Sequence, residues 1–298
     1  MIELALGCGA ASDRGLVRDH NEDRFWMDAE RGAFLVVDGI GGQAGGERAA
    51  ETAVAAISES ITTPGVEAGA AARVSAAIAA ANNCIYTQAR EHRELAGMAC
   101  VLTLALVEGE QVTIGHVGDS RLYVIADGAI RKVTSDHSPV GQMEDAGELT
   151  EAEAMAHPRR NEVFRDVGSR PRTADEGEFV EICQCELPGD GAMLLCSDGL
   201  SDHLTSRRIQ EIAERYDGDP TETARRLVDA ANQAGGRDNI TVVFVAGPAF
   251  RGRTGVTRPR LGVTRILTRR ARWGGRIAFL VYGLLLGMLL WVVQRSRG

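Results

Sequence analysis

Hydrophobic and polar positions follow two alternating patterns from the N-terminus to about residue 247. The runs FLVVDG, ACVLTLALVEG, VTIGHVGDSRLYVIADG and ITVVFVAG are rich in Val, Ile and Leu and broken by Gly. They read as strands, with GEQ and ADGA as hairpin turns. The alanine-rich stretches GERAAETAVAAISESI and most of 67–94 read as helices. Residues 205–215 and 220–233 predict two more, with Thr205 or Asp202 capping the first and Asp219 the second. Consecutive strands joined by short turns predict antiparallel sheets and an α+β architecture. The stretch 137–172 is polar, lacks strand character, and reads as a flap over whatever site the strands build.

The pattern changes after residue 247. Residues 248–276 are rich in Arg, Gly, Thr and Pro and read as a basic flexible linker. Ile277 to Val293 then form an unbroken apolar run. As a helix it would be about 26 Å long, near the lower limit for crossing a bilayer. Trp273 and Trp291 sit near its ends. Arg269, Arg270, Arg272 and Arg276 precede it, against Arg295 and Arg297 in the short tail 294–298. The heavier positive side marks the cytoplasm. The expectation is a single C-terminal anchor in the cytoplasmic membrane, with the globular region 1–247 on its inner face.

Charge sharpens this division. Of 33 basic residues, eleven follow residue 250, and no acidic residue follows Asp238, so the remaining chain carries about −19 against −8 overall. Such an acidic body excludes broad nucleic-acid binding, which needs clustered Lys and Arg. The basic linker suits an anionic lipid surface. The six cysteines form no CxxC pair and read as small buried hydrophobes in a reducing compartment. No secretory signal precedes the first strand. The six histidines show no metal-ligand spacing, and His137 in SDHS reads as structural.

The candidate chemistry lies in aspartates: Asp23 in SDRGLVRDHNEDRF, Asp38 in FLVVDGIGG, Asp119 in GHVGDSRLYV, Asp198 in AMLLCSDGL and Asp238 in GGRDNITVVFV. Asp38 and Asp198 share one grammar, an apolar strand ending in Asp-Gly, which delivers a carboxylate to the edge of a core. One Asp-Gly is a turn signal. Five carboxylates converging at one edge would repel unless a cation sat among them. Oxygen ligands without His or Cys favour Mg²⁺ or Mn²⁺ over zinc.

In number and order, the motifs SDRGLVRDHNEDRF, VVDGIGG, GHVGDSRLY, TSDHSPVGQM, HPRRN, LLCSDGL and GGRDNITVV resemble those of the PPM-type, or protein phosphatase 2C-like, serine/threonine phosphatases, in their short bacterial form. The resemblance covers residues 8–247. It implies a central sandwich of two antiparallel β-sheets flanked by helices, and two or three Mn²⁺ or Mg²⁺ ions. By resemblance, Asp38 bridges two ions and the carbonyl of Gly39 binds the second. Asp198 and Asp238 complete the first ion's shell, Asp119 binds a third, and Asn161 approaches that third site from the flap. Glu22 and Asp23 hold water, and Arg18 grips the substrate phosphate. Ile40 stands where many eukaryotic relatives carry a histidine assigned as general acid.

The implied reaction is hydrolysis of phosphoserine and phosphothreonine in proteins by a metal-activated water, opposing a Ser/Thr kinase at the same membrane. Two other readings compete: a catalytically silent pseudophosphatase acting as a scaffold, and a metal-dependent nuclease or other phosphoesterase. The intact aspartate set weighs against the first, and the acidic body against the second.

Overall fold

The computed structural model describes residues 5–41, 45–63 and 68–252, together with the backbone of a two-residue strand at 264–265. The apolar run 277–293 and its flanking arginines lie outside the described residues. Among the described residues, no helix is long and apolar enough to cross a membrane.

The chain order is β1 (Gly7–Asp13), β2 (Arg24–Asp28), β3 (Ala33–Ile40), α1 (Gly45–Thr62), α2 (Ala70–Glu91), β4 (Ala99–Glu108), β5 (Gln111–Val117), β6 (Arg121–Ala126), β7 (Ala129–Lys132), α3 (Pro139–Asp145) and α4 (Glu151–Met155). There follow β8 (Glu181–Glu186), β9 (Ala192–Cys196), α5 (Asp198–Ser201), α6 (Ser206–Ala213), α7 (Pro220–Gln233), β10 (Ile240–Ala246) and β11 (Thr264–Arg265). Two antiparallel sheets result, β1-β10-β9-β6-β7 and β11-β8-β5-β4-β3-β2.

The strands read as nearly continuous apolar runs because both faces of each sheet are covered. In β3, Phe34 and Val36 enter the core between the sheets, with Ile114, Leu122, Leu195 and Val243. Leu35 and Val37 point the other way, against Ile57, Val74 and Ile78 of α1 and α2. On the far side, Leu194, Val242 and Phe244 pack against Ile209, Ile212 and Leu227 of α6 and α7. The helices form as the pattern predicts. Thr205 caps α6 by accepting from the Arg208 N–H, and Asp219 caps α7 by accepting from Thr221 and Glu222, with Pro220 at the first turn. Asp202 instead closes α5.

One apolar run is two strands. VTIGHVGDSRLYVIADG divides between β5 in one sheet and β6 in the other, and the chain crosses at Gly118. Gly118 has φ +107°, and a Cβ there would meet the Val101 side chain at about 2.1 Å. The crossing swings Asp119 out of both ladders. The folded body also continues past residue 247. Phe250 is buried against Tyr216 and Phe244, and the Gly247 and Ala249 N–H groups donate to the carbonyls of Gly191 and Gly189. The segment read as linker is therefore built into the fold at its start, and its 264–265 strand pairs with Cys183 and Gln184 of β8.

The flap carries α3 and α4, the latter closed by a capping box between Thr150 and Glu153. Its base is pinned where Arg121 pairs with buried Asp136 and with Glu144. Its return is pinned where Gly168 donates to Asn82 and Val167 bridges Cys100.

Candidate metal centre

The register of the sheets explains why distant aspartates meet. Cys196 of β9 lies level with Arg121 of β6 on one side and Val242 of β10 on the other. Asp198, Asp119 and Asp238 therefore leave one end of that sheet together. Asp38 lies near the same end of the other sheet, paired with Val101, while Val117 of β5 pairs with Leu102. Two local details differ from the sequence reading. Asp38 does not end its strand, because β3 continues through Gly39 and Ile40, paired with Cys100 and Ala99. Asp198 does not end β9 but opens α5, behind Ser197.

The charges confirm the convergence. Burial, and then the fields of Asp23, Asp198, Asp119 and Asp238, hold the Asp38 carboxyl well above the carboxylate range. Asp198 is held up in the same direction by burial, then by Asp119, Asp202, Asp238 and Asp23. Asp119 is pushed up to about 7 by burial, then by Asp136 and Asp202. Burial also pushes Asp23 up to about 7, against the lowering effect of its hydrogen bond from Ser197. Glu22 is raised, chiefly by burial.

Hydrogen bonds hold this acidic cleft open. Ser197 Oγ donates to Asp23 Oδ2 at 2.7 Å and accepts the Thr241 N–H at 2.9 Å. Asn239 Oδ1 accepts the Glu22 N–H at 2.7 Å, while its Nδ2 donates to the carbonyls of Arg14 and His20. Arg18, exposed at the rim, donates to Asp238 Oδ2 at 2.7 Å. Asn161 is exposed on the turn after α4, whereas its neighbour Arg160 donates to Asp202 Oδ2 at 2.8 Å. His137 is structural: buried, it accepts the Gly118 N–H on Nδ1 at 3.1 Å.

Three residues here escaped the sequence reading as site residues. Asp202 lies one helical turn after Asp198, a spacing that puts both carboxylates on one face. Ser197 and Asn239 each neighbour a site aspartate within the quoted motifs. Ser197→Ala is expected to remove a hydrogen bond from the buried Asp23 carboxylate and to leave the Thr241 N–H without its Ser197 acceptor. It should lower unfolding stability by about 1–3 kcal/mol in denaturant titration.

The residues fit a divalent cation. Oδ1 of Asp23 and Oδ1 of Asp198 are buried and make no hydrogen bond within the protein. Carboxyls held above their normal range by burial and then by one another suit a bound positive charge, and the donor set is all oxygen. Among the described residues, no group of three or more acidic, histidine or cysteine side chains is already placed to hold a metal ion.

Comparison with known proteins agrees with this geometry. The family model for protein phosphatase 2C matches residues 14–234. The chain is 37% identical over 243 residues to the serine/threonine protein phosphatase PstP of Mycobacterium tuberculosis, covering 81% of this chain and 45% of PstP. It thus spans less than half the length of that relative. It is 33% identical to the serine/threonine phosphatase stp of Listeria innocua, covering 78% of this chain and 93% of that one. The catalytic domain of PstP in complex with two manganese ions is similar in structure, with TM-score 0.71 and 33% identity, covering 82% of this chain and 98% of that one.

Proposed function

Because the chain belongs to the protein phosphatase 2C family, we propose that it hydrolyses phosphoserine and phosphothreonine in proteins, using divalent cations held in the acidic cleft. One observation carries the reading: carboxylates from five separate segments meet in one cleft, two with buried unpaired oxygens, and a guanidinium stands at the rim.

Asp38, the Gly39 carbonyl, Asp198 and Asp238 would hold two ions, and Asp119 would help hold a third, with Asn161 approaching it from the flap. When bound, Mn²⁺ or Mg²⁺ supplies a water of lowered pKa and neutralises charge on the phosphate. Glu22 and Asp23 accept hydrogen bonds from water entering the cleft. Arg18, freed from Asp238, presents a planar fork that matches two phosphate oxygens and stabilises their charge as the ester bond breaks. A cysteine nucleophile is not used. Cys196, two residues from Asp198, is buried, and its thiol is pushed up to about 12, chiefly by burial.

The test is phosphate release by the full chain from a phosphothreonine peptide in Mn²⁺, beside a DNA cleavage assay. Peptide turnover without DNA cleavage supports the reading; DNA cleavage without peptide turnover would replace it with the nuclease. Arg18→Ala is expected to lower kcat/KM on the peptide by about 10²-fold, as removal of one preorganised donor does.

We further propose that the catalytic domain sits at the cytoplasmic face of the membrane, held by residues 277–293 and opposing a Ser/Thr kinase there. The supports are the length of the apolar run, the tryptophans near its ends and the arginine bias. Cell fractionation of the full chain against a chain ending at residue 276 tests it. The full chain is expected in the membrane pellet, with release on truncation, and recovery of both in the soluble fraction would remove the anchor.

A further inference from the structure

Among the described residues, the large apolar side chains that remain exposed are few, and each lies within three residues along the chain of a candidate site residue. Among the described residues the exposed large hydrophobics are Leu16, Val17, Phe25, Ile40 and Phe164. Leu16 and Val17 directly precede Arg18, Ile40 follows Gly39, and Phe164 lies on the flap three residues after Asn161. Phe25, on edge strand β2, is two residues past Asp23. Leu16 and Val17 are the most exposed, at 69% and 67%.

These two are held in place rather than left loose. The Leu16 N–H donates to the Gly236 carbonyl at 2.7 Å. Gly15, at φ +77°, packs so closely on the Asp238 carbonyl that a Cβ would approach it to about 2.2 Å. Asn239 holds the carbonyls of Arg14 and His20 on either side. The loop is therefore clamped to the segment that carries Asp238, and it presents a fixed aliphatic tip. A fixed tip binds without an ordering cost.

We propose that Leu16 and Val17 form a specificity surface that receives an aliphatic side chain flanking the phosphorylated residue of a protein substrate. The inference rests on the phosphatase reading above. Leu16 and Val17 directly precede Arg18, and their side chains are exposed beside it on the clamped loop. A peptide whose phosphate met Arg18 would pass beside this tip, with its flanking residue within reach of Val17 and Leu16. An aliphatic neighbour buries surface there; a serine or a charged residue does not.

The experiment uses the full chain in mild detergent with Mn²⁺. It compares phosphothreonine peptides differing only in Leu or Ser on each side of the phosphoresidue, with p-nitrophenyl phosphate as a substrate lacking neighbours. The expected result is a preference of about tenfold in kcat/KM for the Leu peptide. This preference should disappear in the Leu16→Ser, Val17→Ser double variant, while p-nitrophenyl phosphate turnover stays within about twofold. Leu16→Met with Val17→Ile should retain it. Equal rates on both peptides in the wild type, or an undiminished preference in the double variant, would overturn the proposal and leave the phosphatase reading intact. A wild-type dimer in light scattering that the double variant converts to monomer would assign the tip to a second copy and also overturn it. No Mn²⁺-dependent release from any substrate would remove both readings.

Discussion

Asp38→Asn is expected to lower phosphate release by at least about 10³-fold, on the order of 4 kcal/mol of barrier, with the fold intact. Asp38 is buried and feels four other aspartates at once, so it stands inside the acidic cluster. Asparagine keeps its shape and volume but not the anionic oxygen that would hold cations. The same neutral amide removes one of several mutually repelling carboxylates. In chelator, therefore, the variant should melt at a higher temperature than the wild type, with unchanged far-ultraviolet circular dichroism. A variant that is inactive because it is unfolded would instead melt lower and lose helical signal. One that retains normal turnover would remove Asp38 from the chemistry.

In chelator, the wild type is expected to lose stability as pH rises from about 5 to 8. Asp23 and Asp119 titrate near 7 in the folded chain, and Asp38 and Asp198 are raised as well. In the unfolded chain an aspartate titrates near about 3.9. Between those values the native state holds protons that the unfolded state has released, so unfolding becomes easier as pH increases. The stabilisation is fully present below about 4 and is lost as pH passes through about 7. Mn²⁺ binds the ionised carboxylates and should reverse the trend. At a hundredfold excess over its dissociation constant it adds about 2.7 kcal/mol. Melting temperatures across this pH range, with EDTA and with Mn²⁺, check the sign. A flat or rising curve in EDTA would show that burial and mutual repulsion do not hold these carboxyls up.

Much of this arrangement can be read along the chain, and the reasons vary by element. Helix α7 is legible from Asp219 to Gln233 because its cap, first-turn proline and apolar face are all local signals. Four of the five aspartates are legible because each sits beside a Gly or Asn at the edge of an apolar run, whereas Asp23, between Glu22 and Arg24, is legible only within its longer motif. The crossing at Gly118 is not, since β5 and β6 have the same apolar character and only the packing against Val101 separates their sheets. Ser197 and Asn239 escaped for a related reason. Their partners, Asp23 and Glu22, lie 174 and 217 residues away, and no local pattern encodes such a contact. Asp202 resembles a cap from its neighbours alone; its closeness to Asp119 and Asp198 emerges only when α5 folds under the end of β9. Phe250 opens onto an arginine-rich stretch, and its burial depends on Phe244 of β10 and on the distant Tyr216, past the end of α6.

The central claim is that the acidic cleft is a cation site that drives phosphoester hydrolysis. Its most direct test is phosphate release from a phosphothreonine peptide by the full chain, metal-stripped, titrated with Mn²⁺ and then treated with excess EDTA. Release should be absent at the start, rise to saturation with Mn²⁺, and vanish on chelation. Undiminished turnover in excess EDTA would contradict the account.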